Sequence, residues 1–219
     1  MRGVILAGGR GTRLGDTTRV ANKHLLPVYD QPMIYRPIAT LRSMGCDDIL
    51  IVSGGECIGG FAELLGAGFT YRVQAEPNGV AGALACAEGY ASGLFPVILG
   101  DNYFEAPFEM PSRPTLYTSP TDNPSAFGVF DPVENVIVEK PAHPASDLAV
   151  AGLYVYDERV FDVIPTLVPS ARGELEITDV NNWYLERGLA DVVLVDGLWS
   201  DMGTPDSLLR AALHARRTA

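Results

Sequence analysis

Gly3-Val4-Ile5-Leu6-Ala7-Gly8-Gly9-Arg10-Gly11-Thr12-Arg13-Leu14 decides how the rest of the chain is read. Val4 to Ala7 is a short apolar run with the character of a buried strand. It empties into a loop carrying Gly8, Gly9 and Gly11. With no Cβ in the way, backbone N–H groups in such a loop turn inward and approach an anion closely. Arg13 and, further on, Lys23 add side-chain charge, so the stretch predicts a phosphate site at the carboxyl end of a first strand. Three other readings compete. A flexible turn after a strand uses the same glycines. A Walker loop requires Lys and Ser/Thr directly after its last glycine, where this sequence has Thr12-Arg13. A dinucleotide fingerprint gains from Asp30 downstream but needs a helix opening at the last glycine. Here Pro27 and Pro32 interrupt the chain, and helical spacing resumes only after Pro32.

Outward from this strand, apolar strands and helices alternate. Residues 31–44 have helical spacing, with Pro32 in the first turn and Gly45 closing the helix. Ile49 to Val52 reads as a second strand, Phe61 to Leu65 as a short helix ended by Gly66, and Tyr71 to Val73 as a third strand. The Ala-rich run from Val80 to Tyr90 predicts a tightly packed helix, and Pro96 to Leu99 a fourth strand ending in Gly100-Asp101-Asn102. Strands without a polar face imply a mostly parallel sheet covered on both sides, a three-layer α/β/α architecture. Residues 105–126 are proline-rich and aperiodic, with an edge strand expected at Thr115 to Thr118. Phe127 to Asp131 and Asn135 to Val138 suggest a hairpin, and Val150 to Tyr156 a further strand, with Asp157 capping a helix. Glu176 to Arg187 is amphipathic and stopped by Gly188. Val192 to Val195 reads as a strand, and Thr204 to Arg217 as a terminal helix with Thr204 at its N-cap. There is no internal repeat and no linker, so one domain spans residues 1–219.

Composition narrows the function. A net charge of −11 argues against a nucleic-acid partner, which demands a basic surface. No apolar run approaches the ~18 residues of a membrane span. The opening strand is too short for a secretory segment, so a cytoplasmic protein is expected. Cys46, Cys57 and Cys86 form no CxxC pair, and three reduced, buried thiols are expected. The chain has fourteen arginines and two lysines, Lys23 and Lys140. Genome composition favours arginine in some lineages; lysines that persist in such a chain also mark places where a compact ammonium meets a phosphoryl oxygen.

Asp101 stands at the exit of a buried strand, where ligands of open α/β sheets collect, although Gly-Asp-Asn is also good turn chemistry. Asp201 lies between an apolar strand and the last helix. Two carboxylates, with phosphates completing the octahedron, are a usual Mg²⁺ pattern. Lys140 sits in Val138-Glu139-Lys140-Pro141, where Pro141 ends a strand; Glu139 and Lys140 read equally as an exposed ion pair.

Six motifs then occur in order: Leu6-Ala7-Gly8-Gly9-x-Gly11-Thr12-Arg13-Leu14, Asn22-Lys23-His24-Leu25-Leu26-Pro27-Val28, Leu99-Gly100-Asp101-Asn102, Glu139-Lys140-Pro141, Arg172-Gly173-Glu174-Leu175-Glu176-Ile177-Thr178-Asp179, and Trp199-x-Asp201-x-Gly203-Thr204. Together they make the chain resemble the sugar-1-phosphate nucleotidyltransferases over nearly its whole length. The resemblance implies a Rossmann-like nucleotide-diphospho-sugar transferase fold, with a nucleotide-binding half near 1–103 and a sugar-phosphate half near 104–219. It also implies transfer of a nucleotidyl group, with dTTP and glucose 1-phosphate the favoured pair and UTP or another triphosphate the alternative. By analogy with the family, Leu6, Ala7, Gly8, Gly9, Gly11, Thr12 and Arg13 hold the triphosphate, with Arg13 on the departing pyrophosphate. Gln74 and Gly79 match the residues that read the base. Lys23 would neutralise charge at the α-phosphorus, and Asp101 and Asp201 would hold Mg²⁺. Glu139 matches the ligand of a sugar hydroxyl and Lys140 the partner of the sugar phosphate, with Gly128 and Val150 lining that pocket. Arg13, Lys23 and Asp101 are the implied catalytic residues; a non-catalytic nucleotide-sugar-binding relative would be expected to lack them.

The chain departs from the family pattern in places. Phe127 stands where Tyr is usual, Ala151 where Thr is common, and Met202 where Thr usually follows the aspartate. The segments near 66–70 and 103–126 are shorter than usual, and the chain stops without the additional C-terminal helices of many relatives. In the family those helices build subunit contacts and an effector site, so both a homo-oligomer and a monomer remain open.

Overall fold

The computed structural model describes residues 1–219 apart from Arg10, Val20 and Ala219. β1 (Arg2–Leu6) leads through the glycine loop and a 3-10 segment (Thr12–Thr18) to a small ladder of β2 (Pro27–Val28) and β3 (Gln31–Pro32). There follow α1 (Tyr35–Ser43), β4 (Asp48–Gly54), α2 (Ile58–Leu65), β5 (Thr70–Gln74), α3 (Val80–Ala85) and β6 (Phe95–Leu99). The second half contains β7 (Tyr103–Phe104), β8 (Thr115–Pro120), β9 (Gly128–Asp131), β10 (Val136–Glu139) and β11 (Leu148–Tyr156). α4 (Arg159–Val163), α5 (Ile177–Glu186), β12 (Asp191–Leu194), β13 (Trp199–Ser200) and α6 (Pro205–Thr218) complete the chain.

One nine-stranded sheet carries the molecule, in the order β10-β9-β11-β6-β1-β4-β5, with β8 and β12 paired alongside β11. β6, β1, β4 and β5 run parallel, the first three on apolar runs buried on both faces, and β11 enters antiparallel against β6. Alternation along β1 sends Val4 and Leu6 to one face and Ile5 and Ala7 to the other. The first face packs against α3 and α5, through Leu84, Val180 and Tyr184 among others; the second packs against α1 and α2, through Ile38, Leu41 and Phe61. Val4 and Ile5 are fully buried, each worth roughly 1.5–3 kcal/mol relative to exposure. A third cluster of Val28, Met33, Tyr103, Met202 and Ala211 seats α6 over β2 and β7.

Several expectations are corrected. Thr115 to Thr118 is not an edge: β8 lies between β11 and β12, and Thr115 and Thr118 are buried. The sequence hides this because the edge is supplied by β12, far along the chain. The helix read from residue 31 starts at Tyr35, because Gln31 and Pro32 pair with β2 instead. The helix read to Tyr90 ends at Ala85 and continues as turns. The thiols are all free, but only Cys46 is buried, while Cys57 and Cys86 are partly exposed. Asp157 caps α4 from two residues upstream, accepting a hydrogen bond from the Arg159 N–H at 3.2 Å. Among the described residues no helix is long and apolar enough to cross a membrane.

Candidate active site

The carboxyl ends of β1, β4 and β5 open onto a cleft of about 920 Å³, lined by Gly8, Gly9, Thr12, Asn22, Gly54 and Gln74 among others. Leu6 and Ala7, expected at the triphosphate, do not line this cleft; their side chains are buried in the core. Their backbone groups are tied to the neighbouring strands: Gly100 N–H donates to the Leu6 carbonyl, and Ala7 N–H to Val52. The glycines of the loop have a second use beyond admitting an anion. A Cβ on Gly9 would lie 3.3 Å from Lys23 Nζ, and one on Gly11 would lie 2.9 Å from Lys23 Cβ. The lysine stem therefore runs directly beneath the loop. Gly11 also requires its left-handed φ of 67°.

Lys23 reaches Asp101, and the two form a buried ion pair. Burial opposes ionisation of Asp101, but the Lys23 ammonium outweighs it and holds the carboxyl below its usual range. Asn102 Nδ2 donates to the other Asp101 oxygen at 3.1 Å, and Asn102 Oδ1 accepts from Trp199 Nε1 at 2.6 Å. β11 makes room for this amide at Gly152, whose φ is 62° and whose Cβ would lie 2.8 Å from Asn102 Nδ2.

The pairing of β13 with β7 brings the Asp201 segment alongside, Ser200 opposite Tyr103. Asp201 faces Arg13 at 3.6 Å, and Gly203 leaves the gap this contact needs, since its Cβ would lie 2.6 Å from Arg13 Nη2. Arg13 and Asp201 open with Phe127 and Trp199 onto a second cavity of about 510 Å³. The two aromatic rings meet edge-on at 5.1 Å.

The residues expected to meet the sugar phosphate gather on and beside β9 and β10. Glu139 accepts from Thr178 at 2.7 Å and faces Lys140 at 3.2 Å and Arg172 at 3.3 Å. Gly128 lies opposite Glu139 in the ladder, with no room for a Cβ between Ile137, Glu139 and Thr178. Val150 is buried on β11 beside them. Burial raises the Tyr154 phenol far above its ordinary pKa, and the charges of Glu139 and Asp101 add to it. Lys140 and Met202, each directly following a site carboxylate, have positive φ of 45° and 43°. Such strain persists only where the surroundings hold it.

Sequence reasoning missed Asn102, Thr178, Arg172, Tyr154 and His24 as parts of this network. Asn102, His24, Thr178 and Arg172 lay in quoted motifs without a role, whereas nothing local marked Tyr154. His24 is buried, its ring nitrogen Nδ1 donating to Asn22 Oδ1 at 2.7 Å. Burial and then the Lys23 charge lower its pKa from 6.5 to about 3, against the opposing pull of Asp101. In the unfolded chain the imidazole takes a proton near pH 6.5, and in the fold only near 3. The contribution is therefore fully present above pH 6.5 and declines as pH falls toward 3, by an amount on the order of 4 kcal/mol. His24→Gln is expected to flatten the acid-side loss of stability measured by urea unfolding between pH 6.5 and 4. An unchanged slope would assign the loss elsewhere.

Residues 2–218 match the family model described as nucleotidyl transferase, and the chain belongs to that family. Among its relatives, the glucose-1-phosphate thymidylyltransferase of Mycolicibacterium smegmatis is 44% identical, over 99% of this chain and 82% of that protein. The enzyme of the same name from Neisseria meningitidis is 42% identical, over 97% of this chain and 81% of the relative. A crystal structure of a Bacillus anthracis protein assigned as a glucose-1-phosphate thymidylyltransferase, in complex with sucrose, superposes with a TM-score of 0.92 at 43% identity. It covers 99% of this chain and 95% of its own. A UDP-glucose pyrophosphorylase complexed with UDP-glucose shares the fold at a TM-score of 0.85 and 21% identity.

Proposed function

We propose that this chain transfers the thymidylyl group of dTTP to glucose 1-phosphate, giving dTDP-glucose and pyrophosphate. The observation that carries the reading is the disposition of cations: Lys23 beneath the glycine loop, Arg13 against Asp201, and Lys140 against Glu139. The difficulty in this reaction is to bring two polyanions together in line, which asks for cations and positioning rather than a general base. The sugar-phosphate oxygen is already an anionic nucleophile. It bonds to the α-phosphorus while the bond to the α,β-bridging oxygen breaks, and pyrophosphate leaves with that electron pair. Gly8, Gly9, Gly11 and Thr12 cradle the triphosphate, Gln74 and Gly79 face the base, and Arg13 receives the pyrophosphate. Lys23 neutralises charge at the α-phosphoryl group. Glu139 accepts from a sugar hydroxyl, and Lys140 pairs with the sugar phosphate, with Gly128 and Val150 shaping that pocket.

The carboxylates also fit Mg²⁺. Among the described residues no group of three His, Cys, Asp or Glu side chains forms a closed metal cage. Asp101 and Asp201 instead offer a carboxylate-only set at neighbouring strand ends. Mg²⁺ suits such a set, because it keeps waters and takes substrate phosphate oxygens for its remaining positions. When bound it would offset the charge building on the phosphates.

Pyrophosphate release, measured with Mg²⁺ for dTTP, UTP, dCTP, ATP and GTP against a panel of sugar 1-phosphates, tests the reading. Turnover is expected to be highest with dTTP and glucose 1-phosphate, and no release with any pair would favour a non-catalytic binding protein. In the same assay Lys140→Ala is expected to raise the KM for glucose 1-phosphate about tenfold or more, with the KM for dTTP little changed. Loss of one charge-assisted contact has that size.

A further inference from the structure

Glu105 directly follows β7 and lines neither cavity, yet its side chain reaches the segment that leads to Asp201. β7 and β13 share only two residue pairs, Trp199 with Phe104 and Ser200 with Tyr103. Where the chain enters β13, Glu105 N–H donates to the Leu198 carbonyl at 3.0 Å, and Glu105 Oε2 accepts from the Leu198 N–H at 2.9 Å. One residue thus meets both backbone groups of Leu198 and extends a two-stranded ladder that is marginal by itself. Gly197 leaves room for the carboxylate, with φ 72° and a Cβ position 2.9 Å from Oε2. His214 Nε2, from α6, lies 3.3 Å from Oε1 but out of line for a hydrogen bond, and has no other partner among the described residues.

The residues after Leu198 reach into the site. Trp199 Nε1 donates to Asn102, whose own amide reaches Asp101, and Asp201 meets Arg13. Downstream the segment is fastened separately: the Ser200 hydroxyl donates to the Ser207 carbonyl of α6 at 3.2 Å, and Met202 is fully buried in the cluster that contains Ala211 of α6. Asp201 therefore hangs between a downstream anchor on α6 and an upstream anchor at Glu105. The Glu105 side chain is 41% exposed, so its ionic contact with His214 contributes little to stability. Its hydrogen bond to Leu198 matters for where β13 lies.

We propose that Glu105 is a positioning residue for the transfer reaction: by holding the Leu198 N–H it sets where β13 places Trp199 and Asp201 against Asp101. The inference rests on the proposed function, including the Mg²⁺ carboxylates, and deepens it. Mg²⁺ demands near-ideal octahedral geometry from its oxygen ligands, and a misplacement of about 1 Å costs on the order of a hundredfold in rate. Without the Glu105 side chain, the Leu198 N–H turns to water and Asp201 keeps only its downstream anchor. The nucleotide cleft on β1, β4 and β5 is untouched by that change. Reach decides the effect, and charge does not. Glutamine keeps an accepting oxygen on an arm of the same length, whereas aspartate keeps the charge on an arm one methylene too short for Leu198.

The test compares Glu105→Ala, Glu105→Asp and Glu105→Gln with the wild type, assayed with dTTP and glucose 1-phosphate across a Mg²⁺ series. Each is also made in a Trp183→Phe background, which leaves Trp199 as the sole tryptophan. Glu105→Ala and Glu105→Asp are expected to lower kcat by about ten- to a hundredfold and to raise the Mg²⁺ concentration for half-maximal turnover by about fivefold or more. The KM for dTTP at saturating Mg²⁺ is expected to stay within about threefold. In both variants Trp199 emission is expected to move to longer wavelength, as the buried indole loosens from Asn102. Glu105→Gln is expected to keep the wild-type emission and to stay within about threefold in kcat and Mg²⁺ requirement. Urea unfolding monitors the fold, and Glu105→Asp carries the comparison if Glu105→Ala does not fold. A glutamine variant as impaired as alanine, or an aspartate variant as active as wild type, would overturn the proposal. So would an alanine variant with the wild-type Mg²⁺ requirement and unaltered emission. If the wild type turns over no triphosphate, the nucleotidyltransferase reading fails, and the emission of the variants still decides whether Glu105 places β13.

Discussion

Asp101→Asn is expected to lower kcat by about a thousandfold or more while the chain stays folded. Asparagine keeps the shape and one accepting oxygen, which can still take the Lys23 hydrogen bond, while its amide nitrogen replaces the oxygen that accepts from Asn102 and that second bond is lost. What also disappears is the negative charge. With it go one of two carboxylates proposed for Mg²⁺ and the partner that fixes the Lys23 ammonium beneath the loop. Losing a preorganised charge contact in a dry site costs ~10²–10³ in turnover, and here two functions fall together. Pyrophosphate release against Mg²⁺ concentration reports the first, and urea unfolding reports the second. An asparagine variant with near-normal turnover and an unchanged Mg²⁺ optimum would remove Asp101 from the metal site.

The second large effect is expected at Lys23. Methionine approximates the lysine stem, so Lys23→Met preserves the packing against Gly9 and Gly11 and deletes only the ammonium. Asp101 is then a buried carboxylate without a counter-charge, a change that typically costs about 3–5 kcal/mol. The sign of its pH dependence follows. Without Lys23, burial lifts the Asp101 pKa above its unfolded value, so the variant loses stability as pH rises through that shifted pKa and recovers it in acid. Urea unfolding at pH 5 and pH 8 is expected to show the larger deficit at pH 8, alongside a loss of turnover of about a thousandfold or more. An equal deficit at both values would mean that the ion pair is not what holds Asp101 ionised.

Three strands of the parallel half are plain in the sequence because each holds a short apolar run that ends near glycine. Val4 to Ala7, Ile49 to Val52 and Pro96 to Leu99 all lie on adjacent strands. Asp101 was legible for the same reason: position at a strand exit is a local fact. Relations that depend on distant segments were not legible. Thr115 to Thr118 looks like an edge until β12 arrives beside it, and Gln31 belongs to a helix until β2 claims it. The glycines of the first loop predict close approach of an anion; what the structure brings up against Gly9 and Gly11 is the lysine stem from the next motif along the chain. The contacts of Asn78 were equally illegible, because they run into the space left by Gly82 and to Leu175, nearly a hundred residues away.

Leu175 hydrogen-bonds to Asn78 and Ala81, while Arg172 and Thr178 hold Glu139. One short connection thus steadies both the turn after β5 and the carboxylate at the end of β10. The molecule is poorly suited to modular exchange: grafting a foreign second half onto residues 1–103 would take away the partners of the Asn78 carbonyl and the Ala81 N–H together with the surroundings of Glu139. On the roles proposed above, a change of acceptor sugar is more readily reached through single substitutions beside Glu139, at positions such as Arg172 and Thr178, than through recombination of halves.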